Sequence, residues 1–536
     1  MNDRTARSAW WQKGVVYEVY PRSFQDADGD GVGDLSGIIE RLDYLVELGV
    51  DALWLTPIFC SPMVDFGYDI SRYTDIDPLF GDLAGFDRLI AEAHDRSLKV
   101  ILDYVLNHTS DRHPWFQQSR ASLENAHRDW YIWRDAASDG GPPNNWRSEF
   151  GGSAWTQDDA TGQYYYHAFL SEQPDLNWRN PDVVRAMLAV LEFWLERGVD
   201  GFRVDAIHHL FEAESFADNP PNPDWEAGTP PAYQLLRAHT VDLPEVHEVI
   251  AAIRKLADRY ADRVLIGEAY LPIERLVTYY GGKLDGFHLP FNFHLISTPW
   301  TSQAIASLVS DYEAKLPEGG WPNWVLGNHD RSRVASRIGP AQIKVAATLL
   351  LTLRGTPTLY QGDELGLVDV EIPPDQVKDP FEINVPGIGM GRDPVRSPMP
   401  WSPELNAGFS TAQPWLPLGA GWRSENVEAQ AEDPKSVLNF YRRLLRLRRE
   451  EPCLHSGAYK QYAITHSLFA FARSYGDERL LVILDIGGEG GSIPIPASQV
   501  VMATSAEPAP GQTLVSGRVD IRPNQALILR LLPEWA

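Results

Sequence analysis

The chain has 536 residues, 44% of them hydrophobic, which is enough for a large domain plus a satellite and excludes a disordered protein. Its 47 basic and 73 acidic residues give a formal charge of −26, a balance that repels phosphate backbones and anionic lipid and argues against nucleic acid or a membrane as partner. The two cysteines, Cys60 and Cys453, lie far apart and match neither a disulfide framework nor a metal spacing.

The opening segment Met1–Ser8 carries no apolar run, and no stretch approaches a membrane span, so a cytoplasmic location is the expectation. The first strand is expected at Val15–Tyr20. After it comes Asp26-Ala27-Asp28-Gly29-Asp30-Gly31-Val32-Gly33-Asp34. Carboxylates at Asp26, Asp28, Asp30 and Asp34, with a glycine turn at Gly31 and a backbone carbonyl from Val32, form the oxygen-rich pattern that a hard cation needs. The twelfth position is Gly37 and not Glu, so the loop is not an EF-hand; a solvated acidic turn is the alternative reading.

Helix Ile38–Leu48, strand Ala52–Leu55, helix Gly85–Arg96 and strand Lys99–Asp103 continue a βα rhythm. Cys60, just after the apolar run 54–59, reads as a buried small residue. Residues 107–173, rich in Trp, Gly and Asp, are too long for an ordinary loop and are expected to form an inserted subdomain. Helix Pro181–Arg197 and strand Gly201–Asp205 follow, then a Pro-rich insertion over 207–243. Helix Glu245–Tyr260 precedes strand Val264–Glu268, and further strands are expected within Leu284–Phe293, at Trp324–Asn328 and at Pro357–Gln361.

Eight strands separated by helices predict an α/β fold, a (β/α)8 TIM barrel over 1–106 and 174–450. Short strands with Gly and Pro turns over 451–536 predict a C-terminal antiparallel β-sandwich domain. The 18 Trp, 21 Tyr and 20 Phe offer stacking faces for sugar rings or simply fill a large core, and both readings stay open.

Three acids stand at the C-terminal ends of expected strands: Asp205, Glu268 and Asp330. An isolated acid usually caps a helix or forms an ion pair. Three delivered to one face of one barrel need a chemical reason, because like charges in proximity shift each other's pKa. Glycoside chemistry supplies one. Arg203 lies two residues before Asp205, so both side chains point the same way on a strand and the guanidinium can keep Asp205 ionised.

Four stretches in order, Asp103-Tyr104-Val105-Leu106-Asn107-His108, Gly201–Ala206, Gly267-Glu268 and Asn328-His329-Asp330, resemble the signatures of the α-amylase superfamily, glycoside hydrolase family thirteen. The resemblance covers nearly the whole chain and implies the subdomain inserted after the third strand and the C-terminal β-domain. It implies that Asp205 is the nucleophile, Glu268 the acid/base and Asp330 the acid that stabilises the transition state, in a retaining mechanism with the first two roughly 5–5.5 Å apart. It implies that His108 and His329 surround the first sugar, with Tyr68, Phe169, Arg203 and Ala206 on the substrate side. It further implies that Asp65 pairs with an arginine that clamps the nonreducing sugar. Arg396, in Arg396-Ser397-Pro398-Met399-Pro400-Trp401, is the expected partner and Arg392 its competitor; the stretch departs from the family's pattern at Ser397 and Pro400.

Gln173-Pro174-Asp175-Leu176-Asn177 resembles the marker of the α-glucosidase and oligo-1,6-glucosidase branch. The expectation is thus a retaining exo-α-glucosidase acting on small α-glucosides, with a structural Ca²⁺ (or Mg²⁺) on the acidic loop, as monomer or homodimer. The small Ala206 after the nucleophile points to α-1,4 over α-1,6 linkages, a difference worth only roughly 1–3 kcal/mol. A sucrose isomerase or trehalose synthase type of glucosyl transferase shares the three acids. Transporter heavy chains of the same superfamily carry a membrane span and erode those acids; this chain retains the acids and has no span.

Overall fold

A computed structural model describes residues 8–533, so the outermost ends of the expected barrel (1–7) and of the expected C-terminal domain (534–536) lie outside the described residues. Eight parallel strands build the barrel: β1 (Val16–Val19), β2 (Ala52–Leu55), β3 (Lys99–Tyr104), β4 (Gly201–Val204), β5 (Val264–Gly267), β6 (Leu289–Pro290), β7 (Asn323–Val325) and β8 (Thr356–Tyr360). Their order is β6-β5-β4-β3-β2-β1-β8-β7, and a parallel bridge from Asn292 to Trp324 closes the ring between β6 and β7.

Alternation along the strands produces two cores. Tyr17, Leu53, Val100, Phe202 and Leu265 face the surrounding helices. Val16, Ala52, Trp54, Ile101, Val264 and Ile266 fill the barrel interior. By the same alternation Glu18, Asp103 and Arg203 also point inward, one step nearer the C-terminal rim. Two of the long helices begin on side-chain caps: Asp82 accepts from the Gly85 amide before Leu83–Asp95, and Asn180 accepts from the Asp182 amide before Pro181–Glu196, which opens on proline.

Some elements differ from expectation. The helix expected at Ile38–Leu48 is two, Leu35–Glu40 and Leu42–Leu48, broken where Arg41 leaves helical geometry (φ −104°, ψ 6°). The sixth strand is only Leu289–Pro290 and the seventh stops at Val325. Asp330 therefore sits in a turn beyond its strand, whereas Asp205 and Glu268 directly follow theirs.

Within 107–173, a three-stranded antiparallel sheet (Trp133–Arg134, Trp155–Gln157, Tyr164–Tyr166) packs on Trp146 and Ala154. Phe216, from the insertion after β4, stacks on Trp146 at 5.4 Å, and Asn145 and Asn219 exchange hydrogen bonds, so the two excursions form one wall. These tryptophans fill a core and present no sugar platform. Both cysteines are buried.

The C-terminal domain has a six-stranded antiparallel sheet containing β9 (Ala458–Ile464), β10 (Leu468–Tyr475) and β11 (Glu478–Asp485), with Gly491–Ile495 and Gly517–Ile521 as a two-stranded second layer. One face packs on that ribbon through Leu468, Leu481 and Ile493. The other, through Phe469, Phe471 and Val482, joins the core shared with the barrel helices. Among the described residues no helix is long and apolar enough to cross a membrane.

Candidate active site

Strand register assembles the centre of the site. Asp103 on β3 stands opposite Arg203 on β4, and Val204 opposite Gly267 on β5, so the next residues, Asp205 and Glu268, emerge side by side. The Glu268 amide donates to Val204 O (2.9 Å) and the Asp205 amide to Tyr104 O (3.1 Å), which fixes both backbones. At Gly267 a Cβ would come within 2.2 Å of the Phe287 ring, so only glycine lets β5 approach that closely.

Arg203, 1% exposed, serves three carboxylates at once. Its Nη1 donates to Asp103 Oδ1 (2.6 Å) and Asp205 Oδ1 (2.7 Å), and its Nη2 lies 2.5 Å from Glu268 Oε2. One buried cation cannot neutralise three buried anions. Burial pushes Asp205 upward and Glu268 adds to the rise, while Arg203 opposes it; burial likewise lifts Asp103 to about 6. Asp103 and Asp205 share the Arg203 Nη1, so their titrations are linked. Ala206, next in the chain, adopts a left-handed conformation (φ 42°, ψ 34°) and its amide donates to Glu268 Oε2 at 3.0 Å. A non-glycine residue held there stores strain at the centre of the site.

Asp330 faces this cluster from the β7 loop. Burial opposes its ionisation, but His329 at 3.4 Å, Arg396 at 2.8 Å and Arg392 at 3.6 Å hold it well below the usual carboxylate range. His329 is fully buried and lies between Tyr20 (5.7 Å) and Tyr68 (5.6 Å), stacked on both. Its Nε2 meets the Tyr68 hydroxyl at 2.8 Å and its Nδ1 meets Glu18. Burial raises Glu18 and lowers His329. The Tyr68 hydroxyl also donates to Asp103 Oδ2 at 3.1 Å. His108 is pushed down to about 4 by burial and stays neutral, with Phe169 packed on it at 5.2 Å.

The arginine expected to pair with Asp65 is corrected. Arg392, not Arg396, donates to Asp65 Oδ1 (2.6 Å). Arg396 is drawn away because its Nε donates to His329 O (2.9 Å) and its Nη2 to Asp330 Oδ1 (2.8 Å). The same Arg392 Nη2 also donates to Asp379 Oδ1 at 2.7 Å, and the guanidinium lies over the Phe150 ring at 5.1 Å. The sequence reading missed Asp379, Glu18 and Gln173 as site residues. Gln173 Nε2 reaches both Asp65 Oδ2 (3.2 Å) and His108 Nε2 (3.1 Å); its place in the Gln173–Asn177 marker could have flagged it. Asp379 stands in no motif. Asp103 opens the first signature stretch, and nothing in that stretch says that it shares Arg203 with Asp205.

Asp65, Tyr68, His108, Phe169, Asp205, Ala206, Glu268 and Asp330 line one cavity of about 170 Å³. Arg203, His329 and Arg396 stand behind its wall. Three segments close over it: Glu149 binds Arg237 (2.6 Å), and Phe150 packs on Phe381 (5.5 Å).

The acidic loop lies apart from this cavity. Asp26, Asp28 and Asp34 each offer a carboxylate oxygen, all within 4.8 Å of one another. Asp30 falls outside that group; its Oδ1 accepts from the Val32 amide (2.7 Å). Asp26 and Asp34 also accept backbone amides of the loop, and Ser410 donates to Asp26 Oδ2 (2.5 Å). At Gly31 (φ +95°) a Cβ would lie 2.3 Å from Gln413 O, so glycine is required where the loop meets the segment 409–415. Burial and the neighbouring Asp30 raise Asp28. Hard oxygen donors in mutual repulsion fit a hard cation.

The model of the alpha amylase catalytic domain matches residues 18–457. A probable alpha-glucosidase of Rhizobium meliloti (strain 1021) is 43% identical over 527 residues, covering 95% of this chain and 94% of that protein. An oligo-1,6-glucosidase of Parageobacillus thermoglucosidasius is 37% identical, covering 88% and 90%. The crystal structure of an alpha-glucosyl transfer enzyme superposes with a TM-score of 0.93 at 39% identity, covering 98% of this chain and 100% of that one.

The buried pairing of Arg392 generates a stability prediction. Arg392→Ala leaves Asp65 and Asp379 facing each other without a counter-ion, so unfolding stability should fall by about 3–5 kcal/mol. Denaturant unfolding at neutral pH measures this, and Arg392→Lys should recover part of the loss.

Proposed function

The chain belongs to the α-amylase family of glycoside hydrolases, and from that premise we propose that it is a retaining exo-α-glucosidase. It removes single glucose units from the nonreducing ends of small α-glucosides, maltose-like α-1,4 linkages being preferred. The observation that carries the reading is the closed end of the pocket. The Arg392–Asp65 ion pair and the Glu149–Arg237 and Phe150–Phe381 contacts seal it, so a chain end fits and a chain middle does not.

Asp205 attacks the anomeric carbon while Glu268 gives a proton to the departing glycosidic oxygen. The C1–O bond breaks as the Asp205 ester forms. Glu268 then takes a proton from water, the water oxygen bonds to C1, and Asp205 is released. Arg203 orients Asp205 and Glu268 together and spreads their charge. Asp330, kept ionised by its arginines, stabilises positive charge developing on the sugar. Neutral His108, in the cavity wall, suits hydroxyl recognition, while His329 stands behind it and positions Tyr68. When a sugar hydroxyl replaces water in the second step, the same residues perform glucosyl transfer.

The linkage preference rests on Ala206. In its left-handed conformation a β-branched side chain is a steric outlier, so the small residue both relieves strain and leaves room beside Asp205. The acidic loop is assigned a structural Ca²⁺ or Mg²⁺ held by Asp26, Asp28 and Asp34. Bound there, the ion would offset most of the charge of the three carboxylates and brace the loop against 409–415; it stands outside the reaction.

Three measurements test these statements. Asp205→Asn should lower release of p-nitrophenol from its α-glucoside at least about a thousandfold while leaving circular dichroism unchanged; full residual activity would remove Asp205 from the nucleophile's role. Among maltose, isomaltose, nigerose, kojibiose and sucrose, maltose should give the highest kcat/KM, and a clear lead for isomaltose would overturn the use of Ala206. Excess chelator should lower the Tm, by the equivalent of about 3 kcal/mol if the ion normally stands at a hundred times its Kd, and added Ca²⁺ should restore it.

A further inference from the structure

Glu18, on β1, is a fully buried acid that the reaction does not use. Among the described residues its side chain meets only His329, through Nδ1 and, at 3.4 Å, the backbone amide. Its Oε2 has no partner, and no lysine or arginine pairs with it. A buried carboxyl so sparsely compensated costs stability. We propose that Glu18 is a positioning residue for the reaction. Through His329 it fixes the direction of the Tyr68 hydroxyl, and through Tyr68 and Asp103 it governs how Arg203 is shared with Asp205. The proposal rests on the α-glucosidase reading, in which Asp205 is the nucleophile.

The contacts run without a gap. Glu18 Oε1 meets His329 Nδ1, and His329 Nε2 meets the Tyr68 hydroxyl at 2.8 Å. That hydroxyl donates to Asp103 Oδ2 at 3.1 Å. Asp103 Oδ1 and Asp205 Oδ1 then share Arg203 Nη1, at 2.6 and 2.7 Å. Every side chain in this series is buried, so water does not substitute for a missing link.

The hydrogens along it can be counted. Tyr68 has one hydroxyl hydrogen and gives it to Asp103. His329 Nε2 must therefore carry a hydrogen of its own to approach the Tyr68 oxygen. A neutral imidazole has a single N–H, which leaves Nδ1 bare and in need of a donor. Protonated Glu18 is that donor, and its elevation by burial agrees with this. If the proton crosses to Nδ1, the ring becomes a cation beside a carboxylate, and Nε2 still keeps its hydrogen. The stack between Tyr20 and Tyr68 fixes the plane of the ring but not which nitrogen is protonated. Glu18 decides that.

Without Glu18 the ring can hold its hydrogen on Nδ1, and Nε2 then accepts from Tyr68. Asp103 Oδ2 is left with the Trp54 indole at 3.3 Å. Asp103 draws harder on Arg203, at the expense of Asp205. The same Nε2 hydrogen faces Asp330 Oδ2 at 3.4 Å, so Asp330 loses a favourable neighbour as well.

The test is kinetic, on p-nitrophenyl α-glucoside, with Glu18→Met, Glu18→Gln and Tyr68→Phe. Glu18→Met keeps the length without a donor and should lower kcat about tenfold, the size of one hydrogen bond, with KM changed less than about twofold. Glu18→Gln places an amide donor at Nδ1 and should recover kcat to within about threefold of the parent. Tyr68→Phe cuts the series one link further on, so adding Glu18→Met to it should cost less than about twofold more. A purely structural role would give losses that multiply. Should Glu18→Met fail to fold by circular dichroism, Glu18→Asp, which withdraws the acid by one methylene, takes its place in the same comparisons. Unchanged kcat in the folded variant, no recovery by glutamine, or multiplying losses would each overturn the positioning role. Absence of p-nitrophenol release by the parent chain would instead show that the glucosidase premise has failed, and the proposal with it.

Discussion

The site depends on one buried guanidinium. Arg203 holds Asp103, Asp205 and Glu268 within 2.7 Å of its terminal nitrogens. Three carboxylates could not be brought together in a barrel interior without it, since desolvation and mutual repulsion would each drive them apart or protonate them. With a single cation among three anions, compensation is incomplete, and burial holds Asp205 and Asp103 above the usual carboxylate range. The same shortage of positive charge that costs stability makes acid/base chemistry available at the centre of the fold.

A second arginine does comparable work at the closed end. Arg392 joins Asp65, from the loop after β2, to Asp379, from the long segment after β8. It also lies over Phe150 from the inserted subdomain. Three chain segments far apart in sequence thus meet on one side chain. The pocket is shaped by their mutual contacts, and the barrel supplies the reactive groups. Arg396, four residues on, is fully buried and braces Asp330 and the His329 carbonyl. Two nearby arginines are separated in role by which carboxylate each can reach.

Much of this was legible in the sequence because period-two alternation and strand order are local properties. Gly201–Ala206 states that Arg203 and Asp205 share a face, and Gly267-Glu268 states that an acid leaves the next strand at the same level. The barrel, its insertion and the C-terminal β-domain follow from the rhythm of apolar runs. The break at Arg41, the two-residue sixth strand and the position of Asp330 in a turn were not legible, because element ends are set by tertiary contacts and not by propensity. The choice between Arg392 and Arg396 was open for the same reason. Both lie on one irregular stretch, and motif spacing does not say how that stretch coils.

By itself the sequence determined the three acids, their delivery toward the C-terminal rim of a parallel barrel, and the family to which the chain belongs, since these depend on residue identity and alternation. The acidic loop was equally plain as a run of oxygen donors. Only the tertiary structure decided that Arg203 serves three acids, that Arg392 and not Arg396 pairs with Asp65, and that Asp30 turns away from Asp26, Asp28 and Asp34. Each of those outcomes is a competition among charged side chains for partners brought from distant segments, and such a competition is settled by distance and desolvation in three dimensions.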